Sequence, residues 1–168
     1  MALQKVALDT LRVNPFDMIG KQWMLISAGN EQKFNTMTAS WGGVGVMWGA
    51  PSTMAFIRQT RYTKTFVDAG EYYTLTFLKD GHRDALNRLG TQSGRDIDKM
   101  GDSGLTSLFL EGQPTFAEAE TVFICKKRYA GPVSPEDFTD PSVDTKWYGD
   151  KNYHTMYIGE IVACYRDA

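Results

Sequence analysis

Cysteine is scarce: the 168 residues include only Cys125 and Cys164. Two such distant thiols cannot frame a disulfide scaffold, and they lack the spacing of a zinc site. No metal is expected, and packing alone must hold the fold. A basic excess is also missing, since 18 Lys and Arg face 20 Asp and Glu for a net charge of -2. That balance disfavours a protein that coats nucleic acid through its phosphates. Nowhere do about 18 consecutive apolar residues occur, and the N-terminus carries no long apolar run. The expectation is a cytoplasmic protein with no membrane segment. No Gly-x-Gly-x-x-Gly follows a strand, and the Gly-x-Ser-x-Gly and His-Glu-x-x-His signatures are absent. These gaps remove a Rossmann dinucleotide site and the commonest hydrolase and zincin chemistries.

What is present suits one domain over residues 1–168, long enough to bury about 70% of its extended surface. The 16 glycines cluster between apolar segments rich in β-branched and aromatic residues, which favours strands joined by turns. Asn14-Pro15 caps a short helix over Phe16–Ile19, with Gly20 as its stop. Residues 22–28 and 34–41 form two candidate strands that could pair as a hairpin, and Val44–Trp48 could continue the sheet beyond Gly42-Gly43. Thr53–Arg58 alternates as a half-buried strand does. Thr63–Ala69 reads as a short helix closed by Gly70. Tyr72–Leu78 is the strongest β signal of the chain. Asp80–Leu89 and Arg95–Met100 read as polar helices, Ala119–Tyr129 and Tyr153–Tyr165 as long strands. Ser134–Asp137 opens a single helical turn, and the rest of the acidic stretch from Glu136 to Asp150 reads as a solvated loop. The sum is an antiparallel β core, closer to a barrel than to a sandwich, with both cysteines as buried, reduced thiols.

Three groups of residues could carry chemistry. In Asn35–Trp41, strand alternation places Thr36, Thr38 and Ser40 on one face and Met37, Ala39 and Trp41 on the other. Small hydroxyl residues let a flat ligand approach the backbone, although an ordinary strand with its hydroxyls in water accounts for the same pattern. In Arg58–Lys64, three cations and two hydroxyls sit where a strand enters a helix, a context that favours a phosphate. A solvated basic turn is the alternative, and Arg58 and Arg61 are expected to be solvent-accessible. His154, ahead of Gly159 and Glu160, is one of only two histidines and could hold a proton or a hydrogen bond near neutral pH.

The order of these pieces resembles the flavin reductase-like family. Asn35-Thr36-Met37-Thr38-Ala39-Ser40-Trp41, Pro51, Arg61-Tyr62-Thr63 and His154 with Tyr157-Ile158-Gly159-Glu160-Ile161 carry the likeness, which spans about Trp23 to Cys164. Tyr72–Leu78 stands at the family's Val-Asn strand without that pair. Within the family, the flavoredoxin-like branch is nearer. The resemblance implies a mainly β fold, an antiparallel Greek-key split β-barrel with a few short helices, and FMN as cofactor. It implies that Met37, Thr38, Ala39, Ser40 and Trp41 contact the flavin ring and ribityl chain. Arg58, Thr60, Arg61, Thr63 and Lys64 would surround the phosphate, with His154 as the catalytic candidate beside the flavin or nicotinamide. It further implies a homodimer with the cofactor at the subunit boundary.

Two functions follow. One is an oxidoreductase that uses NADH or NADPH to reduce flavin or another small-molecule or protein acceptor. The other is a non-catalytic FMN-binding electron carrier.

Overall fold

A computed structural model describes residues 2–167; Met1 and Ala168, the end points of the expected domain, lie outside the described residues. The strands are β1 (Leu3–Val6), β2 (Met24–Gly29), β3 (Phe34–Ala39), β4 (Gly42–Met47), β5 (Ala50–Arg58), β6 (Tyr72–Leu78), β7 (Ser107–Leu110), β8 (Gln113–Phe116), β9 (Ala119–Pro132) and β10 (His154–Asp167). The helices are α1 (Pro15–Asp17), α2 (Tyr62–Ala69), α3 (Arg83–Thr91) and α4 (Pro141–Trp147).

Eight strands form one antiparallel sheet in the order β3-β2-β6-β9-β10-β5-β4, with β1 added beside β10. The end strands β3 and β4 are consecutive in the chain, yet no ladder joins them among the described residues. The fold is therefore a split β-barrel, mainly β with four short helices, as the resemblance implied.

The barrel interior follows from strand alternation. Met24, Ile26 and Ala28 of β2, Tyr73, Leu75 and Phe77 of β6, and Phe123 and Cys125 of β9 meet Ile57, Tyr157 and Cys164 in one buried cluster. Each large apolar side chain so buried contributes about 1.5–3 kcal/mol. The outer face of β2 and β6 is covered too. Leu25 and Leu78 pack against Leu86 and Leu89 of α3 and Phe116 of β8. Thr74 donates to the Pro114 carbonyl at 2.6 Å and Thr76 bonds Thr115 at 2.7 Å. That double coverage is why Tyr72–Leu78 reads as an almost uninterrupted β segment.

Both cysteines are free and buried. Burial pushes the thiols of Cys125 and Cys164 up to about 12 and about 11, so both are protonated at neutral pH.

Several expected boundaries move. Asn14 caps α1 by accepting from the Phe16 N–H at 3.1 Å, but the helical turn runs past Gly20 to Gln22 and ends at Trp23, whose φ is 69°. Strand β3 stops at Ala39, and Gly42-Gly43 begin β4 instead of ending β3. A Cβ on Gly42 would lie 2.6 Å from the Met54 carbonyl, so the close approach of β5 requires glycine there. Residues 95–100 form turns, not the expected helix. The stretch read as a solvated loop contains α4, capped by Asp140, which accepts from the Ser142 N–H at 3.0 Å, with Pro141 at its first position.

Candidate functional site: a cationic cleft at the open edge of the barrel

Strand β5 delivers Arg58 to the start of the turn that leads into α2, and the turn Gln59-Thr60-Arg61 carries the chain into the helix at Tyr62. Helix α3 packs across β3 at close range: a Cβ on Gly90 would sit 3.2 Å from the Thr38 side chain. Between these elements lies a cleft of about 380 Å³ lined by Met37, Arg58, Thr60, Arg61, Thr63 and Lys99 together with Gly90–Ser93 and Asn152. Three of these side chains are cations and none is a carboxylate. In a chain of net charge -2, that is a local concentration of positive charge, with Asp150 facing Arg58 at 3.6 Å from outside the cleft lining.

The three cations are held differently. Arg61 is half-buried and donates to the Gly90 carbonyl at 2.7 Å. Burial first, and then the neighbouring Arg58, lower its tendency to carry charge. Lys99 is 3% exposed and donates to the carbonyls of Leu89 at 3.2 Å and Gln92 at 3.1 Å. Burial and then Arg61 push its ammonium down to about 8. Arg58 donates to the carbonyls of Asn152 at 2.7 Å and Trp147 at 3.1 Å and lies over the Tyr148 ring. It thus ties down the segment before β10 as well as facing the cleft.

The hydroxyls are less free than alternation suggested. Thr60 accepts from Asn152 at 2.8 Å, and Thr63, buried, accepts from Asn35 at 2.8 Å. Thr36 is buried on the covered outer face, where it accepts from Ser27 and donates to the Ile26 carbonyl. The Oδ1 of Asn152, whose residue lines the cleft, is buried without a donor.

A narrower cleft of about 200 Å³, lined by Trp23, Thr38, Ala39, Ser40, Leu86 and Asn87, adjoins the first and shares Gly90 and Thr91 with it. Strand residues 38–40 and the cationic turn therefore line neighbouring clefts, and the Thr38 hydroxyl already donates to the Leu86 carbonyl at 2.6 Å.

Two expected contacts lie elsewhere. Lys64 is paired with Asp68 at 2.7 Å, one helical turn on, and lines neither cleft. Trp41 packs edge-on against Trp147, with ring centroids 5.1 Å apart, and against His154 at the same distance. His154 is buried in this aromatic cluster, with its Nδ1 2.8 Å from the Tyr148 hydroxyl. Gly159 and Glu160, further along β10, serve packing: Glu160 accepts from Arg128 at 2.9 Å, and the Tyr73 ring fills the space beside Gly159.

Burial, then Arg58 and Arg61, push His154 down to about 4, so its ring is neutral at pH 7 and offers an N–H rather than an acidic proton. In the unfolded chain the same ring takes up a proton near 6.5. Between these values the unfolded state binds more protons, so stability must fall as pH drops from about 6.5 to 4. His154→Gln is expected to remove that part of the pH dependence in urea unfolding at pH 7 and pH 4.5. Equal losses in parent and variant would refute the assignment.

Residues 17–168 match the family described as flavin reductase like domain, and the chain belongs to that family. Solved structures share the fold. The FMN-binding domain of a flavin reductases-like enzyme from Shewanella baltica OS155 is 16% identical over 98% of this chain and 77% of that one, with a TM-score of 0.70. Flavoredoxin from Methanosarcina acetivorans is 19% identical over 98% and 76%, with a TM-score of 0.67. The NADH:FAD oxidoreductase of Streptomyces globisporus C-1027 is 15% identical over 87% and 75%, with a TM-score of 0.65. No curated protein matches the chain by sequence. Lys99, Asn152 and Gly90–Ser93 escaped the sequence reading; only the pairing of Ser93 with Gly94 hinted at a tight turn there.

Proposed function

We propose that this chain is an FMN-binding flavoprotein oxidoreductase, a single flavin reductase-like domain over residues 1–168. It takes electrons from NADH or NADPH and passes them to flavin or another small-molecule or protein acceptor. One observation carries the reading: Arg58, Arg61 and Lys99 share a cleft lined by no carboxylate. Burial first, and neighbouring arginines second, depress Arg61 and Lys99, and a phosphate would offset both. The residues fit FMN. Arg61, Lys99 and Thr60 would hold the phosphate, with Arg58 and Thr63 shaping that end. Thr38, Ala39 and Ser40 with Trp23 would hold the ring. Together the two neighbouring clefts fall within the range of small-molecule sites, roughly 300–1,000 Å³.

FMN supplies, when bound, the two-electron chemistry that side chains lack. The protein orients it, excludes water from its phosphate end and sets its electrostatic surroundings. His154, neutral and buried behind Trp41, would act on the reaction through a hydrogen bond and not as an acid. A homodimer in a cytoplasmic setting completes the proposal. Val46 on the end strand β4 is 71% exposed and Trp48 beside it 64%, apolar surface at an unpaired sheet edge.

The purified protein is expected to be yellow, to lose its flavin absorbance under anaerobic NADH or NADPH, and to scatter light as a dimer. A flavin that no nicotinamide bleaches would favour the electron carrier, and a protein that binds no FMN would end both readings.

A further inference from the structure

A cavity of about 610 Å³, larger than the cationic cleft, lies elsewhere on the molecule. It lies between the segment around Arg12, the turn from β6 into α3, and the end of β10. Three guanidiniums line it: Arg12, Arg83 and Arg166. Each carries five N–H donors, and few are used. Arg12 donates only to its neighbouring carbonyls, Asp9 and Leu11, at 2.8 Å. Arg83 donates to the Lys21 carbonyl and lies 4.1 Å over the Trp23 ring. Arg166 faces one oxygen of Glu120 at 3.7 Å while the other accepts from Gln22 at 2.8 Å, and its Nε is buried without an acceptor. The lysines of the same wall are spent by contrast: Lys21 pairs with Asp17 at 2.5 Å and Lys79 with Asp167 at 2.8 Å.

We infer that this cavity is a second ligand site, for a phosphorylated small molecule of nucleotide size. Planar guanidiniums match phosphoryl oxygens through paired hydrogen bonds, which a lysine cannot offer. The volume suits a small ligand. The acidic groups Asp17, Asp80 and Glu120 in the lining oppose a long polyanion. Leu86 lines both this cavity and the cleft at Trp23, Ala39 and Ser40, so the two adjoin at that side chain. The site is placed to anchor the phosphorylated arm of a redox substrate whose reacting end enters that cleft; this use, unlike binding itself, rests on the flavin reading.

The test is calorimetric titration of the FMN-loaded protein with ADP and with adenosine. One ADP is expected per chain, with affinity reduced at least tenfold by Arg12→Ala and by Arg166→Ala while FMN affinity is unchanged. Adenosine, lacking phosphates, should bind at least tenfold more weakly than ADP. Arg12 is exposed, so its replacement leaves the fold intact if Arg166→Ala does not. Absence of ADP binding at millimolar concentration, displacement of FMN by ADP, or parent-like affinity in both variants would overturn the site. A protein that takes no FMN yet binds ADP with this arginine dependence would keep the site and remove the flavin reading.

Discussion

Replacing Arg61 with Ala is expected to lower FMN affinity tenfold to a hundredfold. A hydrogen bond to a charged group contributes about 1.5–3 kcal/mol, and each 1.4 kcal/mol is a factor of ten. Arg61 spends one donor on the Gly90 carbonyl and is depressed by burial and by Arg58. Its remaining donors are the best-placed unspent charge in the cleft. Riboflavin lacks the phosphate and should bind parent and variant alike. Arg58→Ala should behave differently, because Arg58 also holds the carbonyls of Asn152 and Trp147 and packs on Tyr148. Its loss should destabilise the segment before β10 along with the cofactor site, and the two effects are separated by melting the apoprotein. Lys64→Ala should leave FMN affinity within twofold of the parent, since Lys64 is committed to Asp68 outside both clefts. Flavin fluorescence titration of the three variants decides the matter, and parent-like FMN binding by Arg61→Ala would refute the phosphate assignment.

Local chemistry explains which of these features the sequence displayed. Tyr72–Leu78 was legible residue for residue because both faces of β6 are buried, so aromatic and β-branched residues fill it without interruption. The strand-to-helix turn at Arg58–Thr63 was legible because the strand's alternation ends where a helical pattern begins. Lys64 misled for a related reason: its charge counts with the turn, but its partner sits four residues on, at the Lys64–Asp68 spacing of a helical ion pair. The β7–β8 hairpin was missed although its signal is present. Glu111-Gly112 stands between two apolar runs, and both residues take positive φ, 52° and 77°, as the tightest hairpin turns require. The aromatic packing of His154 and Trp41 was invisible, because it depends on α4 and Tyr148 folding back over β10.

Lys99 was hidden for the deepest reason. Its surroundings, Arg95–Met100, read as a polar surface helix, yet the segment turns under α3 and brings the ammonium to the helix's last carbonyls. That placement has a pH consequence for ligand binding. With its ammonium pushed down to about 8, Lys99 in the empty cleft is about nine-tenths charged at pH 7 and about one-tenth charged at pH 9. A phosphate dianion favours the charged form, so binding above pH 8 must carry a proton into the site. The phosphate itself keeps its charge over this range, since its second ionisation lies near pH 6. FMN affinity is therefore expected to fall about tenfold between pH 7 and pH 9. Lys99→Met should bind FMN at least tenfold more weakly at pH 7 and show no further loss on raising the pH to 9. Riboflavin, which shares the ring but not the phosphate, should bind equally at both pH values and so report any titration of the ring itself. Stability moves the other way. The unfolded chain holds its lysine proton to about 10.4, so the folded apoprotein gains stability as pH rises from 8 toward that value. A parent whose FMN affinity is flat from pH 7 to pH 9 would remove Lys99 from the phosphate site and leave it to the half-buried Arg61 and Arg58.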